Sequence, residues 1–501
     1  MIKAGLSLML VHELITRGIG DNTVLRGNQT VTYAQLQDEV AKYRGYFQNS
    51  GIRYGDNVGL FSRNSFEYVY SYMALASLGA VIVPLNFQLT PHEVAYIIKD
   101  AQIKHLVTME ELAIEAELQA YEYQQEVTQL IIAEFSKDLP QSSVSARADI
   151  DENQPCVIIY TSGTTGNPKG AVLSHKNLVS DAIIFGKVIP VNSQDNVLCV
   201  LPMYHAFAWT CAVLNPLLKG ASITVLDGFS PKETISAIKE HAVTVMYGVP
   251  PMYNLFVRMG APEDLASVRM FISGGASLPE SVSEQFQQKY GVNIIEGYGL
   301  SEASPVVAVN PVTKTKSCSI GKALPGLEVK VIGLSGEQLP PGTVGELVVK
   351  GPTVMRGYYN LPLDTARALK DGWLYTGDLA YRDTEGYLFI VDRLKDMIIT
   401  NGENIYPREI EELLYAFPGV AEAAVIGVPD TLRGQAARAY IVMVEGHVFD
   451  KKAIREYLQV KLASYKMPRD YIKVDALPKS QTGKILKRVL REQSDSDSRV
   501  G

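Results

Sequence analysis

Cysteine is scarce in this sequence. Cys156, Cys199, Cys211 and Cys318 are the four thiols of a 501-residue chain, with no CxxC pair and no histidine at metal-ligand spacing. That excludes a disulfide or zinc framework and reads as small buried hydrophobes in a reducing compartment. Positive charge is not in excess: Lys+Arg 47 against Asp+Glu 54 leaves −7, which argues against a generalised nucleic-acid binder. A locally basic site for an anionic substrate is still compatible with that balance. Long hydrophobic runs are missing too. The most apolar stretch, MALASLGAVIVPL from Met73 to Leu85, is short for a bilayer span and is broken by Gly79 and Pro84. The opening MIKAGLSLMLVHEL has one lysine and no small-residue cleavage site after it, so it reads as an amphipathic first helix rather than a signal peptide. Internal repeats and long low-complexity tracts are also lacking. What remains, 47% hydrophobic and 20% charged residues over this length, is the composition of a soluble globular enzyme with two or three domains.

Apolar strand-like runs alternate with helical patterns through most of the chain. NVGLF, AVIVPL, KHLVTM and QLIIA are separated by segments such as SFEYVYSYMALASLG and TPHEVAYIIKDAQ; ITVLD, VTVMYGVP and VRMFISGG follow. The alternation predicts an α/β fold with mainly parallel sheets covered by helices. In QLTPHEV, Thr90 before Pro91 with Glu93 three residues on signals a helix start. From about residue 317 the texture is turn-rich β, with LEVKVIG, GELVVKG and GYLFIVD as short strands, which predicts a small β-barrel over 317–393. A third texture follows: PREIEELLYAF and DKKAIREYLQVKL read as helices, VAEAAVIGVPD and ARAYIVMV as strands. Residues 1–393 and 394–501 are thus expected as two domains, the second α+β, with the final SDSDSRVG frayed.

YTSGTTGNPKG, Tyr160 to Gly170, sits behind the apolar run CVIIY. It fails the P-loop pattern, because Lys169 follows Pro168 and precedes Gly170. Its ingredients are still those of a phosphate cradle: Gly163 and Gly166 for close backbone approach, the hydroxyls of Thr161, Ser162, Thr164 and Thr165 as donors, and Lys169 for charge. EGYGLSEAS at 296–304, YTGDLAYRD at 375–383, DRLKDMIITNGENIYPREIE at 392–411 and PKSQTGKILKR at 478–488 follow in order.

Together these motifs resemble the adenylate-forming superfamily of acyl-CoA synthetases, firefly-type luciferases and peptide-synthetase adenylation domains, over essentially the whole chain. The resemblance implies an N-terminal part of two α/β subdomains and a β-barrel, then a mobile C-terminal domain. It implies a reaction in two halves: a carboxylate attacks the α-phosphorus of ATP, and a thiol then displaces AMP. Residues 161–170 would grip the β- and γ-phosphates. Glu302 would hold Mg²⁺, and Ser301, where the family usually has Thr, keeps the hydroxyl for the α-phosphate. Tyr298 and Gly299, with Gly275 and Ala276 in GGAS, would enclose adenine. Asp378 would accept from both ribose hydroxyls, with Arg393 in support. Lys484 would bridge carboxylate and α-phosphate, while the neighbouring Lys479 and Lys487 read as solvated surface charges. Lys395 would be the hinge, and Gly402 in TNGEN would line the pantetheine tunnel of coenzyme A.

LPMYHAFAW, Leu201 to Trp209, resembles the family's acyl-pocket motif. His205 would stand between the acyl and CoA channels, and Trp209 stands where some long-chain fatty acyl-CoA synthetases carry a gating tryptophan. The expected lining adds Tyr204, Phe207, Cys211, Val249, Met252 and Val306. It shows no evident charged residue and favours a hydrocarbon tail. The segment from Leu201 to Tyr253 most resembles bacterial long-chain fatty-acid–CoA ligases, with medium-chain, branched and aryl acids open. Free CoA is the favoured acceptor. Alternatives are a carrier protein's phosphopantetheine arm and, from another class, a non-catalytic binder of acyl-adenylate or acyl-CoA. The expected partners are therefore a carboxylic acid, ATP and CoA, without nucleic acid or an integral membrane segment. The location is expected to be cytoplasmic with room for peripheral membrane contact, and a homodimer is left open.

Overall fold

A computed structural model describes residues 9–137, 139–140, 144–161, 167–430, 432–479 and 485–500. A seven-stranded sheet runs in the order Gly357–Tyr358, Lys169–Ser174, Pro155–Thr161, Val81–Leu85, Asn57–Phe61, His105–Thr108, Thr128–Ile131. A nine-stranded sheet runs Lys322–Ala323, Val306–Val309, Ile294–Gly299, Met270–Ser273, Val245–Gly248, Asn196–Cys199, Ser222–Val225, Thr23–Arg26, Thr30–Thr32. Both are parallel at the centre and antiparallel at an edge. Their central strands are short, apolar and buried throughout, as in VIVPL and VMYG, because helices cover both faces. Between Val81–Leu85 and Pro155–Thr161 the ladder carries one registered pair, Ile82 with Val157. Pro84, which has no N–H to give to a ladder, stands beside a small cavity there, along with Val157 and Ile159.

Local signals explain the covering helices. Thr90 caps Pro91–Asp100: its hydroxyl accepts from the Glu93 N–H, and the Glu93 carboxylate accepts from the Thr90 N–H at 2.9 Å. Ser65 caps Phe66–Leu78, and Gly79, at φ +73°, ends it in the left-handed conformation that glycine adopts most freely. Every residue of that helix except Glu67, in its first turn, is buried.

Two short elements depart from the sequence reading. The expected amphipathic first helix is, within the described residues, a six-residue 3₁₀ turn, Val11–Thr16, that buries Val11, His12, Leu14 and Ile15. Docking against the helix His175–Val188 fixes it, since the Val11 N–H donates to His175 Nδ1 at 3.2 Å. QLIIA divides into the strand Thr128–Ile131 and the helical turn Ile132–Phe135.

The turn-rich region forms a five-stranded antiparallel sheet, Glu328–Ile332, Gly345–Lys350, Trp373–Arg382 and Leu369–Lys370, with Leu388–Arg393 against Trp373–Arg382. Ile320, Val331, Leu347, Ala380 and Leu388 make its small core. A fourth sheet, Glu403–Ile405, Ile398–Thr400, Gly434–Met443 and Val420–Asp430, takes Asp470–Lys473 against Gly434–Met443. With Pro407–Tyr415 and Lys451–Lys461 it encloses a separate core around Ile398, Ile410, Val425 and Leu458. The last helix, Lys487–Val500, continues through the serine- and aspartate-rich segment expected to fray. Its first turns are held by Arg491 to Asp396 at 2.5 Å and by the Arg438 guanidinium donating to Ser494 at 2.7 Å. Among the described residues no helix is long and apolar enough to cross a membrane.

Candidate active site

The cradle joins two antiparallel strands. Pro155–Thr161 and Lys169–Ser174 pair in register, with Thr161 opposite Lys169; Ser162, Gly163, Thr164, Thr165 and Gly166 lie outside the described residues. The strands on either side of the cradle are antiparallel neighbours, whereas a P-loop links a strand to a helix. Lys169 Nζ lies 2.5 Å from the Asp364 carboxylate and 5.6 Å from the centre of the Tyr358 ring. Tyr358 in turn donates its hydroxyl to Glu302 at 2.9 Å.

Segment 298–306 is where the motifs meet. It leaves the strand Ile294–Gly299, turns through Ser301–Ala303 and returns as Val306–Val309. Gly299 is required by close approach, because a Cβ there would stand 2.1 Å from the Pro305 carbonyl oxygen. Tyr298 donates its hydroxyl to Asp378 Oδ2 at 2.5 Å. Burial, with Asp378 beside it, pushes that hydroxyl well above its usual range and keeps it a donor. The other Asp378 oxygen faces Arg393 Nε at 3.3 Å, and the two residues stand opposite each other in the ladder. A carboxylate has about four lone-pair sites, so acceptor capacity remains on Asp378 for two further hydroxyls. The Met355 N–H donates to the Glu302 carbonyl at 2.8 Å. Gly275, at φ +77°, and Ala276 follow the carboxyl end of Met270–Ser273, the end at which open α/β sheets hold ligands.

The acyl-pocket residues pack behind this segment. Phe207 meets Tyr247 edge-on at 6.0 Å and closes against Gly274, where a Cβ would come within 3.1 Å of its ring. His205 Nδ1 accepts the Phe207 backbone N–H at 3.2 Å, which places the proton of the neutral ring on Nε2. Trp209 lies in a wide π-helical stretch, Ala208–Leu214, a distortion that often marks functional sites. Its ring is tilted against Tyr72 with centroids 4.0 Å apart. Tyr204, Ala206, Trp209 and Thr210 line the small cavity together with Tyr72, Pro84 and Leu178. Val249 is buried at the start of Pro250–Met259, and Val306 is buried in its strand.

On the C-terminal side, Lys395 lies in the turn between Leu388–Arg393 and Ile398–Thr400. Asn401 and Gly402, at φ +52° and +84°, form the two-residue turn joining Ile398–Thr400 to Glu403–Ile405. Positive φ at both central positions is the tight hairpin that Asn-Gly favours. Lys484 lies outside the described residues. Lys487 is no solvated surface charge: it is largely buried and pairs with Glu411 at 2.8 Å, with Asp392 and Asp396 adding attraction. Lys479 is likewise paired, with Glu422.

Sequence reasoning missed four residues around the site. Tyr358 and Asp364 belong to no recognised motif, and their contacts to Glu302 and Lys169 are purely tertiary. Thr210 donates its hydroxyl to the Ser304 carbonyl at 2.9 Å, tying the π-helical stretch to segment 298–306. Asp181 stands behind Val306 as a buried acid. It is fully buried, its Oδ2 accepts the Val306 N–H at 3.2 Å, and its Oδ1 has no hydrogen-bond partner. Burial pushes its carboxyl well above the usual range. An aspartate inside the apolar run LVSDAIIF is the signal that was there to be found.

Comparison with known proteins shows the family and the fold. Residues 16–359 match the family model "AMP-binding enzyme", and residues 409–484 match "AMP-binding enzyme C-terminal domain". The chain is 36% identical over 480 residues to a feruloyl-CoA synthase of Amycolatopsis sp, covering 94% of this chain and 95% of the relative. It is 34% identical over 518 residues to a long-chain-fatty-acid–CoA ligase of Bacillus subtilis, covering 94% and 91%. The crystal structure of ATP-bound MatB from Rhodopseudomonas palustris superposes with a TM-score of 0.91 at 31% identity, over 97% of this chain and 99% of that one. The chain thus belongs to the AMP-binding enzyme family, within the adenylate-forming superfamily.

Proposed function

We propose that this protein is an AMP-forming acid–thiol ligase: it activates a carboxylic acid with ATP to acyl-AMP and pyrophosphate, then transfers the acyl group to coenzyme A. The observation that carries this reading is the convergence on segment 298–306 of the base of the cradle, through Tyr358 and Glu302, and of Asp378 with Arg393, through Tyr298. The first half-reaction brings two anions together, so its barrier is lowered by positioning and by positive charge. In this reading Lys169 and the cradle hold the outer phosphates, Asp378 takes the ribose hydroxyls, and Lys484 bridges carboxylate and α-phosphate. Glu302 fits a Mg²⁺ ligand: Tyr358 engages one carboxylate oxygen and the other remains for a hard cation. When bound, that cation would neutralise phosphate charge. Among the described residues no group of three or more His, Cys, Asp or Glu converges, which suits a cation that takes most of its ligands from phosphates and water.

The acid we assign is one with an apolar body, a medium- to long-chain fatty acid, on the apolar lining around Phe207, Trp209, Val249 and Val306. A compact aryl acid is the second reading, favoured by the ring-lined cavity at Tyr72, Tyr204 and Trp209. The test is AMP formation from ATP with saturated acids from acetate to stearate and a set of benzoates and cinnamates, with and without CoA. CoA-dependent AMP release peaking on long alkyl chains supports the first reading, and a peak on aryl acids the second. Acyl-AMP that accumulates in the presence of CoA replaces the free-CoA assignment with a carrier-protein acceptor. No turnover with any acid overturns the ligase assignment.

A further inference from the structure

Asp364 stands where a phosphate-binding site would ordinarily exclude a carboxylate. Its Oδ1 is 2.5 Å from Lys169 Nζ, with both side chains three-quarters or more buried. A second cation, Arg367, is 3.9 Å away and largely exposed. The position is built. Asp364 is in the helix Pro362–Ala368, which follows the strand Gly357–Tyr358. That strand pairs with Lys169–Ser174, Thr365 accepts the Tyr358 N–H at 2.9 Å, and the Tyr359 N–H donates to the Gly170 carbonyl at 2.8 Å. The carboxylate is therefore carried on the same sheet edge as the lysine and cannot drift from it.

We propose that Asp364 is a positioning residue that weakens the hold of Lys169 on phosphate, so that pyrophosphate leaves. This rests on the assignment of residues 161–170 as the cradle. An ammonium already paired with a carboxylate offers an incoming phosphate a nearly neutral pair, and the carboxylate itself repels the anion. Triphosphate tolerates the loss because adenine and ribose supply other contacts. Pyrophosphate has none of these, so the penalty falls chiefly on the product. When the phosphates depart, Asp364 takes back the ammonium and no buried charge is left unpaired.

The test is calorimetric binding of magnesium pyrophosphate to the full chain, wild type and Asp364→Asn, each also on a Lys169→Met background. Asp364→Ser serves as a second variant, and unfolding midpoints verify that each protein folds. The proposal expects Asp364→Asn and Asp364→Ser to bind pyrophosphate about three- to tenfold more tightly than wild type, the range of a partly buried ion pair. It expects no such gain once Lys169 is methionine, and expects Asp364→Glu to restore the wild-type affinity. In turnover, KM for ATP should fall less than the inhibition constant for pyrophosphate, a split that simple loosening of the fold would not produce. Equal or weaker pyrophosphate binding by Asp364→Asn overturns the proposal, as does a gain that persists without Lys169. If wild type binds ATP but Lys169→Met binds it equally well, the cradle assignment itself fails, and this inference with it.

Discussion

Acid should loosen this protein through two histidines packed between the first turn and the helix His175–Val188. His12 is 7% exposed and His175 fully buried, with their rings perpendicular and 6.4 Å apart. Burial drives His12 down to about 3 and His175 to about 4 from an ordinary 6.5, with His175 and Arg44 adding to the effect at His12. Both are neutral in the native state, and the Val11 N–H donates to His175 Nδ1, which an imidazolium cannot accept. The folded values are depressed, so the unfolded chain binds more protons below pH 6.5. The contribution is complete above pH 6.5 and is lost as pH falls through about 4 and about 3. At about 1.4 kcal/mol per pKa unit, and allowing for coupling between neighbours, the pair accounts for on the order of 5 kcal/mol across that window. The assay is thermal unfolding from pH 8 to pH 4 of wild type and of His12→Leu with His175→Asn, the asparagine retaining an acceptor for Val11. Carboxylates titrate in both proteins, so the readout is the difference between the two curves. The wild-type midpoint should fall more steeply below pH 6.5. Parallel curves would refute the reasoning.

Three further outcomes are expected. Gly402→Ala should destabilise the C-terminal sheet by about 1 kcal/mol, because φ +84° strains an L residue even though a Cβ there meets nothing within 4 Å; urea unfolding and KM for CoA read the two consequences, and an unchanged midpoint would refute the turn argument. Lys484→Ala should lower the adenylation rate by about 100-fold or more while KM for ATP shifts by less than about threefold, as for a group acting mainly in the transition state; pyrophosphate exchange measures it, and an effect confined to KM would contradict that role. Trp209→Ala should cost about 3–5 kcal/mol when the site is empty and broaden acceptance towards bulkier acids, seen as a larger ligand-induced rise in melting temperature; an unaltered acid profile would separate Trp209 from acid selection.

Much of the fold was legible because local chemistry and tertiary environment agree. NVGLF and VIVPL are continuous apolar runs that only a covered parallel sheet buries, and Thr90, Pro91 and Glu93 start a helix by a mechanism confined to four residues. The short elements were less legible, because packing decides them. Val11–Thr16 takes its form from docking on His175, and nothing within six residues records that. At the site, residues fixed by a motif could be named, whereas Tyr358, Asp364 and Asp181 could not. The Lys169–Asp364 contact links positions 195 apart in the chain, and no periodicity encodes it. Lys487 misled for the opposite reason. LKRVLRE reads as a charged surface, yet it folds so that its lysine turns inward to a nest of carboxylates.

The turn around Lys395 has a mechanical consequence. On one side Arg393 is moored to Asp378, and the Leu394 N–H donates to the Gly377 carbonyl at 2.8 Å. On the other, Asp396 is moored to Arg491 of the final helix. The freely torsioning stretch is thereby cut to about one residue, so any swivel of the C-terminal sheet has a short axle with a moored end on each side. Such a swivel keeps both moorings and must snap bonds that cross the axle, among them those from the Arg408 N–H to Asp392 at 2.9 Å and from its guanidinium to the Ile390 carbonyl at 2.6 Å. Arg408 therefore acts as a latch across that axle, one whose release any such swivel requires.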